Sequence, residues 1–379
     1  MDNSLREQYS LISDTAERFL LDNYPFSVRQ QLITGQSGYS DKHWQQIHDM
    51  GWMQFSLPVD CGGLGCGIGF VAQLAREFGR HLFMSPFFTS AVLSAKIIEN
   101  LADDPMRKKL LGEIADNTSV ITAALYEKQS RYDMHNITSG AKQNAGRWIL
   151  NGEKIALQYG NCANRILVLV RTQGEQTDHS GLTLFCLPSQ CEGLKLTHYT
   201  AHDGSRLSTL RMRNVEVSEN CMIGKAHDAL VDGISEAVEF SLAYICAEMT
   251  GAMERLMDVT LEYAKTRTQF GQKLSSFQAI QHRLVDMYMR CELARSLSSE
   301  AINCLESQQG RERGLVLAAS KHEIGRMAII NAEEAVQLHG AMGMMDELPV
   351  GHYLKRLFTL NLLFGDPDYH RSRFRQLSK

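Results

Sequence analysis

The chain has 379 residues, 44% of them hydrophobic and 22% charged, with a formal net charge of −4. That length supports a sizeable buried core and two or three domains or one large one, and the mild acidity argues against nucleic acid or an anionic membrane surface as a partner. No apolar run approaches the roughly 20 residues of a membrane span, and Met1–Glu7 lacks a basic region followed by an apolar one, so no signal peptide is read and the cytoplasm is the expected location.

In chain order, residues 1–118 read as an N-terminal helical domain. Ser13-Asp14 stand before Thr15-Ala16-Glu17-Arg18-Phe19-Leu20 as a helix-start signal, and Lys42–Met50 carries Trp44, Ile47 and Met50 at helical spacing. A glycine-rich turn, Cys61-Gly62-Gly63-Leu64-Gly65-Cys66-Gly67, fits no G-x-G-x-x-G register and has no strand–turn–helix context, which disfavours a dinucleotide-binding Rossmann site. No phosphate-binding P-loop pattern occurs.

Residues 119–227 change to short strands and read as a middle β domain, a small barrel or sandwich. Trp148-Ile149-Leu150 leads into Asn151-Gly152, a strong hairpin-turn signal. Arg165–Val170 and Gly181–Pro188 are runs suited to buried strands.

Residues 228–379 return to the helical period and read as a C-terminal four-helix bundle. Leu284, Met287, Cys291 and Ala294 form one apolar stripe. Ile324, Ala328, Ala332 and Ala335 form another, small enough for close helix approach. Ala243, Ala247 and Gly251 permit either a roomy pocket or a tight helix contact. The fold class is therefore α+β and multidomain. Nine scattered cysteines without a C-x-x-C pair, and histidines without H-E-x-x-H spacing, read as reduced thiols and ordinary histidines rather than a metal site.

The stretch Arg267-Thr268-Gln269-Phe270-Gly271-Gln272-Lys273-Leu274-Ser275-Ser276-Phe277-Gln278-Ala279-Ile280-Gln281-His282 resembles the acyl-CoA dehydrogenase signature R-x-x-F-G-x-x-L-x-x-x-Q-x-x-x-H. Gln337-Leu338-His339-Gly340-Ala341-Met342-Gly343 with Glu347-Leu348-Pro349, and Asn151-Gly152-Glu153-Lys154, are similar to further blocks of that family. The resemblance covers essentially the whole chain. It implies a helical domain, a β domain and a four-helix bundle assembled as a dimer of dimers, with FAD as cofactor, an acyl-CoA as substrate and an electron-transfer flavoprotein as acceptor. Arg267, Phe270, Gln278, Gln337 and Gly340 are the implied contacts to the ADP half of an FAD whose flavin half sits in the neighbouring subunit. Their chemistry suits that role. Arg267 offers a planar fork for a diphosphate, Phe270 an apolar cover, the glutamines hydrogen bonds, and Gly340 (with Gly343) a close backbone approach. The plain alternative makes Gly271 a helix C-cap and Gln337–Gly343 a packed helix terminus.

The chain departs from the family where the chemistry would be. Family dehydrogenation needs a placed carboxylate to take the α-proton. Counting ungapped from Gln337, that position is Phe364; at the alternative family position, counting back from Arg267, stands Ser241, followed by Leu242 where many members keep an arginine. No catalytic residue is assigned, and Asp366 and Glu239 are weak candidates, Asp366 reading equally well as a turn or helix cap before Pro367. The family's flavin-facing T-E-P-G-A-G-S-D-like segment reads here Tyr126-Glu127-Lys128-Gln129-Ser130-Arg131-Tyr132-Asp133, and its W-I-T reads Ala156-Leu157-Gln158. Such a pattern implies one subunit of a heteromeric acyl-CoA dehydrogenase, lending ADP-side contacts to a catalytic partner subunit, as in paired members acting on steroid side-chain or dicarboxylic acyl thioesters. A self-sufficient dehydrogenase with an unusual base and a flavin-free binding or assembly protein on the same fold are the competing readings.

Overall fold

The computed structural model of the chain describes residues 3–227 and 230–379. Its helices are α1 (Asn3–Asn23), α2 (Phe26–Thr34), α3 (Asp41–Asp49), α4 (Ile68–His81), α5 (Ala95–Leu101), α6 (Asp104–Ala115), α7 (Leu230–Thr266), α8 (Gln278–Ser307), α9 (Gly310–His339), α10 (Pro349–Leu362) and α11 (Pro367–Leu377). Between α6 and α7 run β1 (Ile121–Ala124), β2 (Gly140–Asn144), β3 (Arg147–Gln158), β4 (Arg165–Arg171), β5 (Leu182–Pro188), β6 (Leu194–Thr200), β7 (Arg206–Ser218) and β8 (Met222–Ile223), and a small hairpin β9 (Thr268–Gln269) and β10 (Gln272–Lys273) follows α7. Contacts divide the chain into two compact units: Met1–Gln31, Gly67–Met84 and Leu242–Lys379 form one, Leu32–Cys66 and Ser85–Ser241 the other. The expected boundary after residue 227 touches residues 228–229, which lie outside the described residues.

The second unit, here the β unit, is built on one sheet with the order β6-β7-β3-β2-β4-β5-β8, β1 pairing with β4. Both expected buried strands are present, and Ile166, Val168, Phe185 and Leu187 pack into one apolar core with Trp148, Leu150, Leu157 and Leu210. The expected hairpin turn is displaced. Asn151-Gly152 lies inside β3, at a register shift against β7, while the turn joining β2 to β3 is Ala145-Gly146. Ala145 and Gly146 have φ of 47° and 77°, the positive pair that a two-residue hairpin loop requires. Asn151 is held in the sheet because its side-chain amide donates to Asn214 Oδ1 at 3.1 Å and its Oδ1 accepts from the Asn214 N–H at 2.8 Å. Gly152 is needed there for space: a Cβ would stand 2.2 Å from Ser139 Oγ. Glycine-rich residues 61–66 meet a similar demand, since a Cβ on Gly63 would lie 2.0 Å from the Leu57 carbonyl oxygen.

The first unit, here the helical unit, contains the C-terminal bundle. Its long members run 37, 30 and 30 residues for α7, α8 and α9. α9 packs against α8, α10 and α11, and the stripes Leu284/Met287/Cys291/Ala294 and Ile324/Ala328/Ala332/Ala335 are both buried. α1 begins ten residues before the Ser13-Asp14 signal, because its apolar face continues through that point onto α4; the Ser13 hydroxyl donates to Gln73 Oε1 at 3.1 Å. Small residues on α7 serve a tight contact: a Cβ on Gly251 would fall 1.9 Å from the Arg76 carbonyl oxygen, and one on Gly79 of α4 would fall 2.0 Å from that of Glu248. Backbones approach this closely only where side chains are absent. Charge is buried at the same crossing. Glu254 accepts from Arg76, Arg80 and Arg295, and Glu248 pairs with Arg356 of α10.

Candidate functional site

The two sequence blocks carrying the signature are brought together in the helical unit. α7 ends at Thr266, α9 at His339, and the rings of Tyr263 and His339 stack with centroids 4.2 Å apart. Tyr263 also donates its hydroxyl to the His339 carbonyl at 3.4 Å, and His339 Nδ1 sits 2.8 Å from the Ala335 carbonyl. Burial holds the His339 imidazole below its ordinary pKa, so it is a neutral clamp between the helix ends. Nothing in the spacing of Tyr263 and His339 announced this contact.

Gly271 is not a helix C-cap. It occupies the second position of the β9–β10 loop, with φ of 79°, and Phe270 the first, with φ of 53°. Positive φ at a phenylalanine is sterically unfavourable, and the turn here holds the ring outward at 91% exposure, edge-on to Phe277 at 6.4 Å. Arg267, Gln278 at the first turn of α8, Gln337 near the end of α9, and Gly340 are exposed as well. Gly340 has φ of 60° and ψ of −140°, a conformation suited to glycine, and open space where a Cβ would stand. Gly343, by contrast, packs internally, its Cβ position 2.8 Å from the Val336 carbonyl oxygen.

Phe364 and Ser241, the residues expected at the two family base positions, carry no carboxylate. Phe364 is buried, at φ of 54°, in the turn between α10 and α11. That turn is held from beneath: the Lys321 ammonium, fully buried, donates to the carbonyls of Asn361 at 2.8 Å and Gly365 at 3.0 Å, and His370 Nε2 lies 3.1 Å from that of Phe364. Burial lowers the Lys321 pKa to about 8 and, with the Lys321 charge, that of His370 to about 3, so the imidazole is neutral and donates. Asp366 caps α11, its Oδ1 accepting from the Tyr369 N–H at 2.8 Å. In the β unit, Ser241 is fully buried and donates its hydroxyl to the Ala237 carbonyl at 2.8 Å, while Glu239 is half-buried on the same helix.

The flavin-facing segments expected from the resemblance lie in the β unit. Their backbone is anchored by a buried ion pair that sequence reading missed. Glu127 Oε1 accepts from Lys154 Nζ at 2.7 Å, and its carboxylate also accepts from the N–H groups of Thr138 and Ser139. Burial opposes ionisation of Glu127, yet Lys154 and these hydrogen bonds outweigh it and hold the carboxyl at about 2. Above this frame Arg131 is exposed at φ of 47° and Ala156 exposed at φ of 58°. Tyr132 and Gln158 are half-buried, and the Gln158 carbonyl accepts from the Thr122 hydroxyl at 2.7 Å.

Three family models match in sequence order: Acyl-CoA dehydrogenase, N-terminal domain, over residues 6–118; the middle domain over 122–215; and the C-terminal domain over 233–376. The chain belongs to the acyl-CoA dehydrogenase family. One similar relative is the L-prolyl-[peptidyl-carrier protein] dehydrogenase of Serratia sp. (strain ATCC 39006), 24% identical and covering 98% of this chain and 96% of its own. Among solved structures, a variant of the Tcur3481-Tcur3483 steroid ACAD aligns with a TM-score of 0.87 at 22% identity over 99% of this chain and 98% of that one. The ChsE4-ChsE5 complex from Mycobacterium tuberculosis aligns at 0.85 and 20% over 98% of each chain. Acyl-CoA dehydrogenases are FAD-dependent oxidoreductases. The exposed groups around Phe270 and Gly340 fit an ADP moiety in chemistry and in open backbone. In the β-unit patch the segment expected from the resemblance to face a flavin presents the bulky side chains of Arg131 and Tyr132 and the small one of Ala156.

Proposed function

We propose that this chain is the base-free subunit of a heteromeric acyl-CoA dehydrogenase, lending the ADP-side contacts for an FAD whose flavin contacts and catalytic carboxylate belong to a partner subunit. The observation that carries this reading is the pair of side chains at the family base positions: Phe364 is an apolar, buried ring, and the Ser241 hydroxyl is spent on a helix carbonyl. FAD, when bound, supplies acceptance of the hydride that leaves Cβ of the thioester. For its part this chain would bind: Arg267 neutralising the diphosphate, Gln278 and Gln337 hydrogen-bonding, Phe270 excluding water from the ADP edge. Neither Phe364 nor Ser241 takes the α-proton. The exposed apolar side chains Val285, Tyr288, Met289 and Leu293 on α8 support association with another subunit. We further propose domains at 1–118, 119–227 and 228–379, a bulky acyl-CoA such as a steroid side-chain or dicarboxylic thioester, an electron-transfer flavoprotein as acceptor, and a heterotetramer in the cytoplasm.

The test is to assay the isolated chain, the partner dehydrogenase subunit, and their mixture with acyl-CoA and an artificial electron acceptor. Turnover confined to the mixture, and lost when the partner's carboxylate is neutralised, is the expected result. Turnover by the isolated chain that disappears with Asp366→Asn or Glu239→Gln contradicts it and names a base.

A further inference from the structure

Independently of that reading, the β unit holds a cavity of about 660 Å³ between residues 33–41, the Asn161–Cys162 turn and the end of strand β6. Its volume lies within the range of small-ligand sites. We propose that this cavity is a binding site for a small organic ammonium ion carrying an aromatic or apolar body.

The electrostatics of the wall point to a cation. Among the described residues Arg206 is the wall's one guanidinium, and it is buried and turned inward. It donates to the backbone carbonyls of Leu32, Ile33, Gly35, Gln36 and Gly204. The loop wraps this side chain so closely that a Cβ on Gly38, at φ of 71°, would lie 2.5 Å from Arg206 Cγ. With its donors spent on carbonyls, Arg206 has little left for a phosphate or carboxylate. Acceptors, in contrast, remain. Asn161 commits its amide N–H to the Ser37 carbonyl at 2.9 Å, which fixes its orientation and leaves Oδ1 buried without a partner among the described residues. A buried acceptor without a donor is destabilising, and a ligand N–H would relieve that. Asp41, in the first turn of α3, brings a carboxylate to the same wall.

The rest of the wall includes two tyrosines, Tyr39 and Tyr199, beside polar groups and one thiol. Tyr39 is fixed edge-on against Trp44 and Tyr159, with centroids at 6.4 and 6.1 Å, and burial raises its hydroxyl pKa, so it stays a neutral phenol. Tyr199 stands 42% exposed on β6, an edge strand of the sheet. Ring faces beside a carboxylate attract organic cations. Burial pushes the Cys162 thiol up to about 12, so it is neither a nucleophile nor a second negative charge at neutral pH. His198 is oriented by a 2.8 Å contact from Nδ1 to Ser208 Oγ.

The experiment is calorimetric titration of the full chain, in the assembly in which it purifies, with tyramine and separately with 4-hydroxyphenylacetate, which share a ring and differ in head-group charge. Tyramine is expected to bind in about the millimolar range or tighter and the acid at least about tenfold more weakly. Asp41→Asn is expected to weaken tyramine about tenfold, the loss of one charge-assisted contact. Tyr199→Ala, at an exposed position with little risk to folding, is expected to weaken it about threefold and keeps the test decisive if Asp41→Asn fails to fold. Absence of tyramine binding, equal binding of the acid, or indifference of the variants that fold would overturn the proposal.

Discussion

The helix ends around Phe270 and Gly340 and the β-unit patch around Arg131 and Ala156 have changed in opposite ways. At the helix ends the side chains of Arg267, Phe270, Gln278 and Gln337 are exposed, Phe270 at 91%, and Gly340 has open space around its Cβ position although its backbone conformation itself suits glycine. In the β unit Glu127 and Lys154 form a buried ion pair, while Arg131 and Ala156 are exposed and differ from the segments that the family resemblance leads one to expect. Exposed side chains such as Arg267 and Phe270 are open to a ligand, whereas the buried Glu127–Lys154 pair serves the fold. That contrast supports a subunit serving half of a shared site.

The largest expected effect breaks the frame. Glu127→Gln leaves the Lys154 ammonium buried without its counter-charge, and loss of one partner of a buried pair costs about 3–5 kcal/mol; a steep fall in melting temperature and soluble yield would register it. The same carboxylate sets an acid limit. Its folded value of about 2 lies below the ordinary 4.5, so its contribution is complete above about pH 4.5 and is lost as pH falls toward 2. Acid unfolding monitored by β-sheet circular dichroism should therefore lose this component in the Glu127→Gln protein.

Next in size is Arg267→Ala. Removing a charged bidentate contact should weaken FAD retention in the assembly by on the order of 1.5–3 kcal/mol, with the melting temperature of the chain unchanged. Unchanged flavin retention would break the comparison on its ligand side. The smallest effect is Arg131→Gly. At φ of 47° the arginine carries left-handed strain of roughly 1 kcal/mol, so glycine should raise stability slightly without restoring activity to the isolated chain.

Much of the fold was legible because apolar period survives packing: the stripe Leu284–Ala294 is a buried helix face, and Arg165–Val170 is a buried strand. Errors arose where one local signal serves two structures. Asn-Gly marks a hairpin loop, but between two stretches that both pair with β7 it is absorbed as an irregularity in β3, and the turn goes to Ala145-Gly146. Glycine at positive φ ends helices and also closes hairpins, so Gly271 alone could not distinguish them. The site was legible where chemistry lies within one run, as at Arg267 to Gln278. Glu127 and Lys154, 27 positions apart, and Tyr263 with His339 become partners only through the fold.

The central claim is that this chain contributes half of a shared cofactor site, and the most direct measurement is the flavin count in the purified assembly with its partner subunit. Mass and flavin absorbance together should give one FAD for each pair of unlike chains, with no flavin on this chain alone. One FAD for every chain, or a yellow protein from this chain by itself, would contradict it.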